Sequence, residues 1–459
     1  MDSEYKMPIP ADFESTLTST ARCAARYLRE VQERSVSPAT AAVDRLQLLG
    51  GPLPAASADP DEILSLLDEV AGPATIVNAA GRYFGYVMGG TLPAALVASW
   101  FTSVWDQNCG LAIMSPAAAK LEEIALAWTL EILGLPATWG GGLVTGATMA
   151  NFCGLAAARH ALLERVGWDV ERQGLFAAPP IQVVVGEEVH ASVLKALALA
   201  GFGRERVLRV PVDTQGRMRA AALPRLDSRT VICVQAGNVN TGAFDPAAEI
   251  CARAREAGAW VHVDGAFGIW AAASPHYRHL TAGFEQADSV ATDAHKWPNV
   301  GYDCGIVLTR EPRHLRAAMS VSAAYITPGE GREPHHHTPE MSRRARGIEL
   351  WAALRSLGRQ GMVELIDRTC RHAQRFAAEL RAAGHAVLND VVINQVLVSL
   401  GPAERTLAVV RRLQEEGVCW CGSTEWQGQT AMRISVSSWA TTDRDVDLSL
   451  QAISRAAQQ

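Results

Sequence analysis

Between residues 181 and 308 the chain alternates short, almost wholly apolar runs with longer segments of helical spacing. No other feature restricts the fold as much. Strands are predicted over 181–185, 207–210, 231–235, 260–264, 289–292 and 305–308, and helices over 148–163, 190–200, 218–226 and 246–257. Strands apolar on both faces and separated by helices of this length predict an α/β fold, a mostly parallel central sheet with helices on both faces. Ligands of such sheets sit at the carboxyl ends of the strands. Those ends are therefore the places to look for chemistry.

The flanking regions are less regular. A helix is predicted over 16–33, with apolar Leu17, Ala21, Ala25, Leu28 and Val31; it either packs on its own domain or lies as an arm across a second subunit. Asp61 is read as the cap of a helix running to about residue 71, and a long helix is expected over 116–133. The proline- and glycine-rich stretch 326–339 is predicted to be a mobile loop with solvated His335, His336 and His337. Helix is expected from Glu340 onward and again over 362–383. Strands at 391–400 and 431–437, with helices at 405–416 and 445–456, predict a small C-terminal α+β domain. The resulting division is 1–79 as a helical arm and dimerisation segment, 80–350 as the large domain and 351–459 as the small one.

Composition removes several classes of function. A chain of 459 residues with net charge −6 has no general attraction to nucleic acid or anionic membrane, and no apolar run is long enough to span a bilayer. Residues 1–6 carry neither a basic start nor an apolar stretch, so no secretory signal is expected. The nine cysteines are scattered, and three consecutive histidines do not converge easily on one ion. No metal site is expected, and the cysteines read as reduced thiols of a cytoplasmic protein.

Four strand ends carry candidate groups. The first, Leu143-Val144-Thr145-Gly146, opens a helix at Ala147-Thr148; its free N–H groups suit a phosphate, although a threonine there also serves as a plain cap. The second leads to His190 at another helix start, either a structural histidine or a flat face for a planar ligand. The third ends in Asp264-Gly265-Ala266, a buried carboxylate with no adjacent cation and small residues that leave room beside it. The fourth delivers Lys296 within Asp293-Ala294-His295-Lys296-Trp297, 32 residues after Asp264. Lysine is rarely delivered from a buried strand without a reason. Pyridoxal 5′-phosphate uses all four: a lysine for its aldehyde, an aspartate for its ring nitrogen, a helix N-terminus for its phosphate and a flat group beside its ring.

With these residues in place, the chain resembles the group II pyridoxal-phosphate amino-acid decarboxylases, the family of the aromatic-amino-acid and glutamate decarboxylases. The resemblance rests on His262-Val263-Asp264-Gly265-Ala266, His295-Lys296-Trp297, Tyr302-Asp303-Cys304 and Pro339-Glu340-Met341-Ser342-Arg343-Arg344, and runs from about Tyr83 to the tail. It implies the aspartate aminotransferase-like fold type I and a homodimer. It also implies Schiff-base formation by Lys296, phosphate contacts from Ala147, Thr148 and His295, stacking by His190 and ring-nitrogen pairing by Asp264, with Ala266 and Asp293 lining the cofactor. Tyr325, 29 residues after Lys296, falls where the family has a proton-donating loop tyrosine, although it also reads as an anchoring aromatic; Arg433 falls where an arginine meets the substrate carboxylate.

The chain also departs from that pattern. Gly237-Asn238-Val239-Asn240-Thr241-Gly242 replaces a Gly-Thr-Thr run, which implies a changed ring or substrate contact, and Asp293 stands where asparagine is common. Asp106-Gln107-Asn108-Cys109-Gly110 is polar where the aromatic branch is bulky and apolar, so Asn108 is a candidate substrate contact and an acidic or small polar substrate stays open. Decarboxylation of an L-amino acid is the expected activity, catalysed by Lys296, Tyr325 and His190. A carbon–carbon lyase or aldolase reaction on the same cofactor is the alternative, and a catalytically idle cofactor-binding scaffold is the alternative of another class.

Overall fold

The computed structural model describes residues 13–321 and 331–458. The first third is helical: α1 (Phe13–Glu30), α2 (Thr40–Asp44), α3 (Pro60–Leu66), α4 (Pro93–Trp105) and α5 (Pro116–Ile132). Asp59, rather than Asp61, caps α3, its carboxylate accepting from the Asp61 N–H at 2.9 Å. None of the residues of α1 is buried.

The large sheet follows. Its strands are β1 (Gly140–Val144), β2 (Gln182–Gly186), β3 (Val207–Val210), β4 (Thr230–Gln235), β5 (Trp260–Asp264), β6 (Ser289–Asp293) and β7 (Gly305–Thr309). They lie in the order β1-β7-β6-β5-β4-β2-β3, parallel throughout except for β7, which is antiparallel to both its neighbours. The helices α6 (Ala147–Glu164), α7 (Val170–Gln173), α8 (Ala191–Leu199), α9 (Ala247–Ala257) and α10 (Pro312–Met319) connect or flank the strands. Two apolar clusters cover the two faces of this sheet. Val184, Ile232, Val261 and Ile306 contribute to one, and Val183, Val185, Val231 and Val307 to the other. Alternate residues of the same strands thus feed opposite cores, which is why these runs are apolar at nearly every position.

A 36-residue helix, α11 (Gly347–Ala382), interrupted at Gly358, leads to the small domain. There β8 (Ala386–Val387), β9 (Gln395–Ser399), β10 (Gly422–Trp426) and β11 (Gln429–Ser435) form an antiparallel sheet in the order β10-β11-β9-β8, backed by α12 (Ala403–Glu416) and α13 (Asp443–Gln458). The segment around Phe84 joins this domain: its N–H donates to the Trp420 carbonyl at 2.8 Å, and its ring packs in the small-domain core.

Three sequence expectations fail locally. Residues 218–226 form only a 3-10 turn at Ala220–Ala222, because Pro224 breaks the run and the Met218 N–H is taken by the Asp245 carboxylate at 2.7 Å. His335, His336 and His337 are not a solvated run. They form a 3-10 turn in which His335 and His337 are buried, the His335 N–H donating to the Gly110 carbonyl at 3.0 Å. Helix does not begin at Glu340 either, because Arg344 forms a bridge with Asn108 and the regular helix starts at Gly347.

Candidate active site

The carboxyl ends of β1, β2, β5 and β6 converge as the alternation predicts. From β6 the chain turns through a lysine loop that is fastened at several points. The Asn299 side-chain amide donates to the carbonyls of Trp297 (2.5 Å) and Ser437 (3.0 Å), and the Trp297 indole N–H donates to Thr369 Oγ1 at 2.9 Å. A Cβ on Gly89 would meet the Lys296 carbonyl oxygen at 1.9 Å, so the glycine-rich segment before α4 closes directly over this loop. Lys296 is thereby held from the large sheet, from α11 and from the small domain together.

The lysine amine lies 2.9 Å from Asp293 Oδ2, and Asp293 Oδ1 accepts the N–H of Ala147 at 2.6 Å. Gly305 makes this approach possible, since a Cβ there would come within 2.4 Å of Gly146 Cα. Ala147 and Thr148 form the first turn of α6, whose leading N–H groups have no acceptor within the helix. Beside them His295 Nδ1 accepts the Cys304 N–H at 3.2 Å. That contact leaves the proton on Nε2, which faces Asp293 Oδ1 at 3.6 Å. Burial holds the His295 imidazole below its usual pKa despite Asp293, so the ring is neutral and a donor at Nε2. The Tyr302 ring lies over it with 4.3 Å between centroids.

His190 caps α8, its Nδ1 accepting the Ser192 N–H at 3.2 Å and lying 2.7 Å from Ser192 Oγ. Burial lowers its pKa, partly opposed by the charge of Asp264 and reinforced by Lys296 and Arg433. His190 therefore stands where the charges of Asp264, Lys296 and Arg433 meet. Asp264, buried at the end of β5, accepts only the Ala266 N–H at 3.2 Å and forms no ion pair among the described residues. Arg433 is equally short of a counter-charge among the described residues. Its guanidinium donates to the Val239 carbonyl at 3.4 Å and to Asn240 Oδ1 at 3.3 Å, and burial lowers its pKa.

Lys296, Asp293, His295, Ala147, Thr148, His190, Asp264, Ala266 and Arg433 thus share one region. Asn108 does not join them within the chain, since it is tied to the Arg343 N–H (3.1 Å) and faces Ser342 Oγ (3.4 Å). Tyr325 lies outside the described residues. Asn238 uses its side-chain oxygen to hold the N–H groups of Asn240 and Thr241, so it shapes the turn while Asn240 reaches Arg433. The roles of Gly89 and Asn240 carry no local sequence signal, because both depend on contacts with distant segments.

The donor set fits pyridoxal 5′-phosphate. A buried carboxylate without a cation suits a protonated ring nitrogen, an amine at a strand end suits the aldehyde, and a helix start with a neutral His295 suits a phosphate. Residues 54–400 match the family model described as the pyridoxal-dependent decarboxylase conserved domain. The aromatic-L-amino-acid decarboxylase of Drosophila lebanonensis is 30% identical over 377 residues, covering 76% of this chain and 91% of that protein. Among solved structures, Oryza sativa TDC with PLP and tryptamine superposes with a TM-score of 0.90 at 23% identity, each chain 99% covered. The Rhodiola rosea 4-hydroxyphenylacetaldehyde synthase gives 0.85 at 22%, covering 98% of this chain and 99% of that one. The chain belongs to the pyridoxal-dependent decarboxylase family, and its activity is pyridoxal-phosphate-dependent decarboxylation of an amino acid.

Proposed function

We propose that Lys296 joins the cofactor aldehyde, that Asp264 holds the ring nitrogen protonated and that Ala147, Thr148 and His295 take the phosphate. The observation that carries this reading is the pair of unmatched charges, Asp264 and Arg433, that both act on His190 together with Lys296. Bound pyridoxal phosphate supplies a ring that stabilises the electron pair left when the Cα–carboxylate bond breaks. The chain's own groups do the rest. Arg433 receives the substrate carboxylate, His190 presents a planar face beside the ring, and Tyr325 with His190 returns a proton to Cα. Ala266 and Asp293 line the cofactor.

The homodimer and the cytoplasmic setting belong to the same proposal. Phe13 and Leu17 on α1, Trp100, Phe101 and Val104 on α4, and Ile113 beyond it are large apolar side chains left exposed. Phe13 and Leu17 support residues 1–79 as a dimerisation arm, 80–350 and 351–459 being the large and small domains, and the exposed residues of α4 extend that face into the large domain. Asn108 lies between α4 and Ile113, so its substrate contact would be made in the other subunit's site. No described helix is long and apolar enough to cross a membrane, and all nine cysteines are free.

Incubating the holoenzyme with aromatic, acidic and small polar L-amino acids, while assaying CO₂ and the amine, tests the reading. The relatives' names bring aromatic amino acids into the panel, and the polar stretch 106–110 brings in the others. In Arg433→Met the KM for the accepted substrate should rise at least tenfold with the bound-cofactor spectrum unchanged. An unchanged KM would remove Arg433 from the substrate site.

A further inference from the structure

We propose that His160, Glu164 and His314 bind one divalent transition-metal ion of the zinc class per chain, at the end of the large sheet opposite the catalytic pocket. On α6, His160 and Glu164 are four residues apart and share one face. Packed along it, α10 contributes His314. One potential ligand atom from each lies within 4.8 Å of the other two.

The surrounding carboxylates decide which nitrogens are available. His160 Nδ1 is 2.8 Å from Glu171 Oε2, a charge-assisted contact that keeps the proton on Nδ1. Its Nε2 lone pair then faces Glu164 Oε1 at 3.8 Å. His314 repeats the arrangement with the nitrogens exchanged: Nε2 lies 3.5 Å from Glu311 Oε2, and Nδ1 lies 3.7 Å from Glu164 Oε2. His314 is only 2% exposed, and its Nδ1 is buried without a hydrogen-bond partner. A buried ring nitrogen aimed at a carboxylate, with its other nitrogen held by a second carboxylate, is the arrangement that orients histidine ligands around a metal.

Charge and geometry also suit a dication. Three carboxylates surround the two imidazoles, and two guanidinium groups offset them only in part, Arg313 donating to Glu164 at 2.9 Å and to Glu311 at 3.1 Å and Arg159 lying 4.0 Å from Glu171. Arg313 occupies Glu164 Oε2, which leaves Oε1 for the ion. Ligands of a tetrahedral zinc ion stand about 3.3 Å apart, so the three atoms, within 4.8 Å of one another, need draw together by at most about 1.5 Å. Two imidazoles and one carboxylate select zinc, nickel or cobalt over the oxygen-seeking magnesium and calcium, and leave a position for water. Trp260, the first residue of β5, sets its ring edge-on to His314 at 5.9 Å, whereas Asp264 at the far end of that strand faces the catalytic pocket. The ion would clamp α10 onto α6 without touching the cofactor site. Sequence spacing carries no sign of it, because the third ligand comes from a distant helix.

Chelator-treated holoenzyme, free of amino acids, is titrated with zinc chloride by calorimetry and with cobalt(II) by visible absorption. The proposal requires one saturable ion per chain, a cobalt band of tetrahedral type and a higher Tm with zinc. His314→Ala removes a buried ring and risks the fold, so Glu164→Gln and His160→Gln carry the test. Each should weaken zinc at least tenfold while cofactor absorbance and decarboxylation persist. Absence of saturable binding, or unchanged native affinity in both variants, would overturn the site.

Discussion

Asp293→Asn separates two roles of one carboxylate. In the native chain Asp293 contacts the Lys296 amine at 2.9 Å and the Ala147 N–H at 2.6 Å, with 3% of its side chain exposed against 18% for Lys296. Asparagine keeps the shape and an acceptor for Ala147 but presents no charge to the lysine. At an effective dielectric of about 20 the lost attraction is roughly 6 kcal/mol. The solvent that reaches Lys296 reduces the net loss to about 2 kcal/mol. Unfolding entropy for a chain of this length makes that a fall of about 2 °C in the Tm of the apoenzyme. The same energy reappears with opposite sign in cofactor binding. The amine must leave Asp293 to join the aldehyde, and an interaction absent from the free enzyme need not be broken. Pyridoxal phosphate should therefore bind about 30-fold more tightly to the variant. Scanning fluorimetry of apoenzyme and equilibrium titration of the cofactor measure the two halves. A variant with unchanged Tm that binds the cofactor equally or less well would show that Asp293 acts chiefly in the loaded enzyme.

Lys296→Ala should lower CO₂ release by at least about 1,000-fold with the circular dichroism spectrum unchanged, and turnover within about tenfold of native would refute its catalytic role. Gly89→Ala places a methyl group against the Lys296 carbonyl. It should cost several kcal/mol and displace the lysine loop; native activity and Tm in that variant would mean the segment yields freely. Burial holds His262 at about 3, its ring lying between Ser289 and Asn151. Between pH 6.5 and 3 the unfolded chain binds a proton that the folded chain refuses. Stability therefore falls as pH falls through that window, by about 2 kcal/mol at pH 5. His262→Asn should flatten the dependence of Tm on pH, and an unchanged slope would assign the acid sensitivity elsewhere.

The legible part of the fold was the part governed by local pattern. Near-continuous apolar strands identified the parallel sheet, and Asp264 and Lys296 stood out because a charged group at the end of a buried strand needs a purpose. Prediction failed where a distant segment decided the structure. Residues 218–226 have helical spacing, but Pro224 and the carboxylate of Asp245 hold them as a turn. His335 and His337 resemble loop residues until Gly110 and the glycines of β1 are seen to leave them a buried seat; a Cβ on Gly142 would meet the His337 carbonyl at 2.8 Å. The departure at residues 237–242 was visible in sequence, but which asparagine faced the site was not. That depends on Asn238 turning its oxygen back onto its own loop.

The pocket's charge pattern also narrows the molecule that completes it. Asp264 and Arg433 are opposite charges, and neither has an ionic partner among the described residues. Both are felt by His190, which burial keeps neutral. Two such groups would satisfy each other if they met; instead each retains only weak or neutral contacts, at 3.2 Å for Asp264 and at 3.3 and 3.4 Å for Arg433. A ligand that brings a cation to one and a carboxylate to the other removes both deficits at once, and a neutral sugar or an apolar ring removes neither. A protonated pyridine ring joined to an amino acid has that distribution of charge. On the proposed assignment, the lysine, the helix start and the neutral His295 would hold the cofactor. On the same assignment, the unmatched carboxylate and guanidinium would draw an α-amino acid as the second molecule.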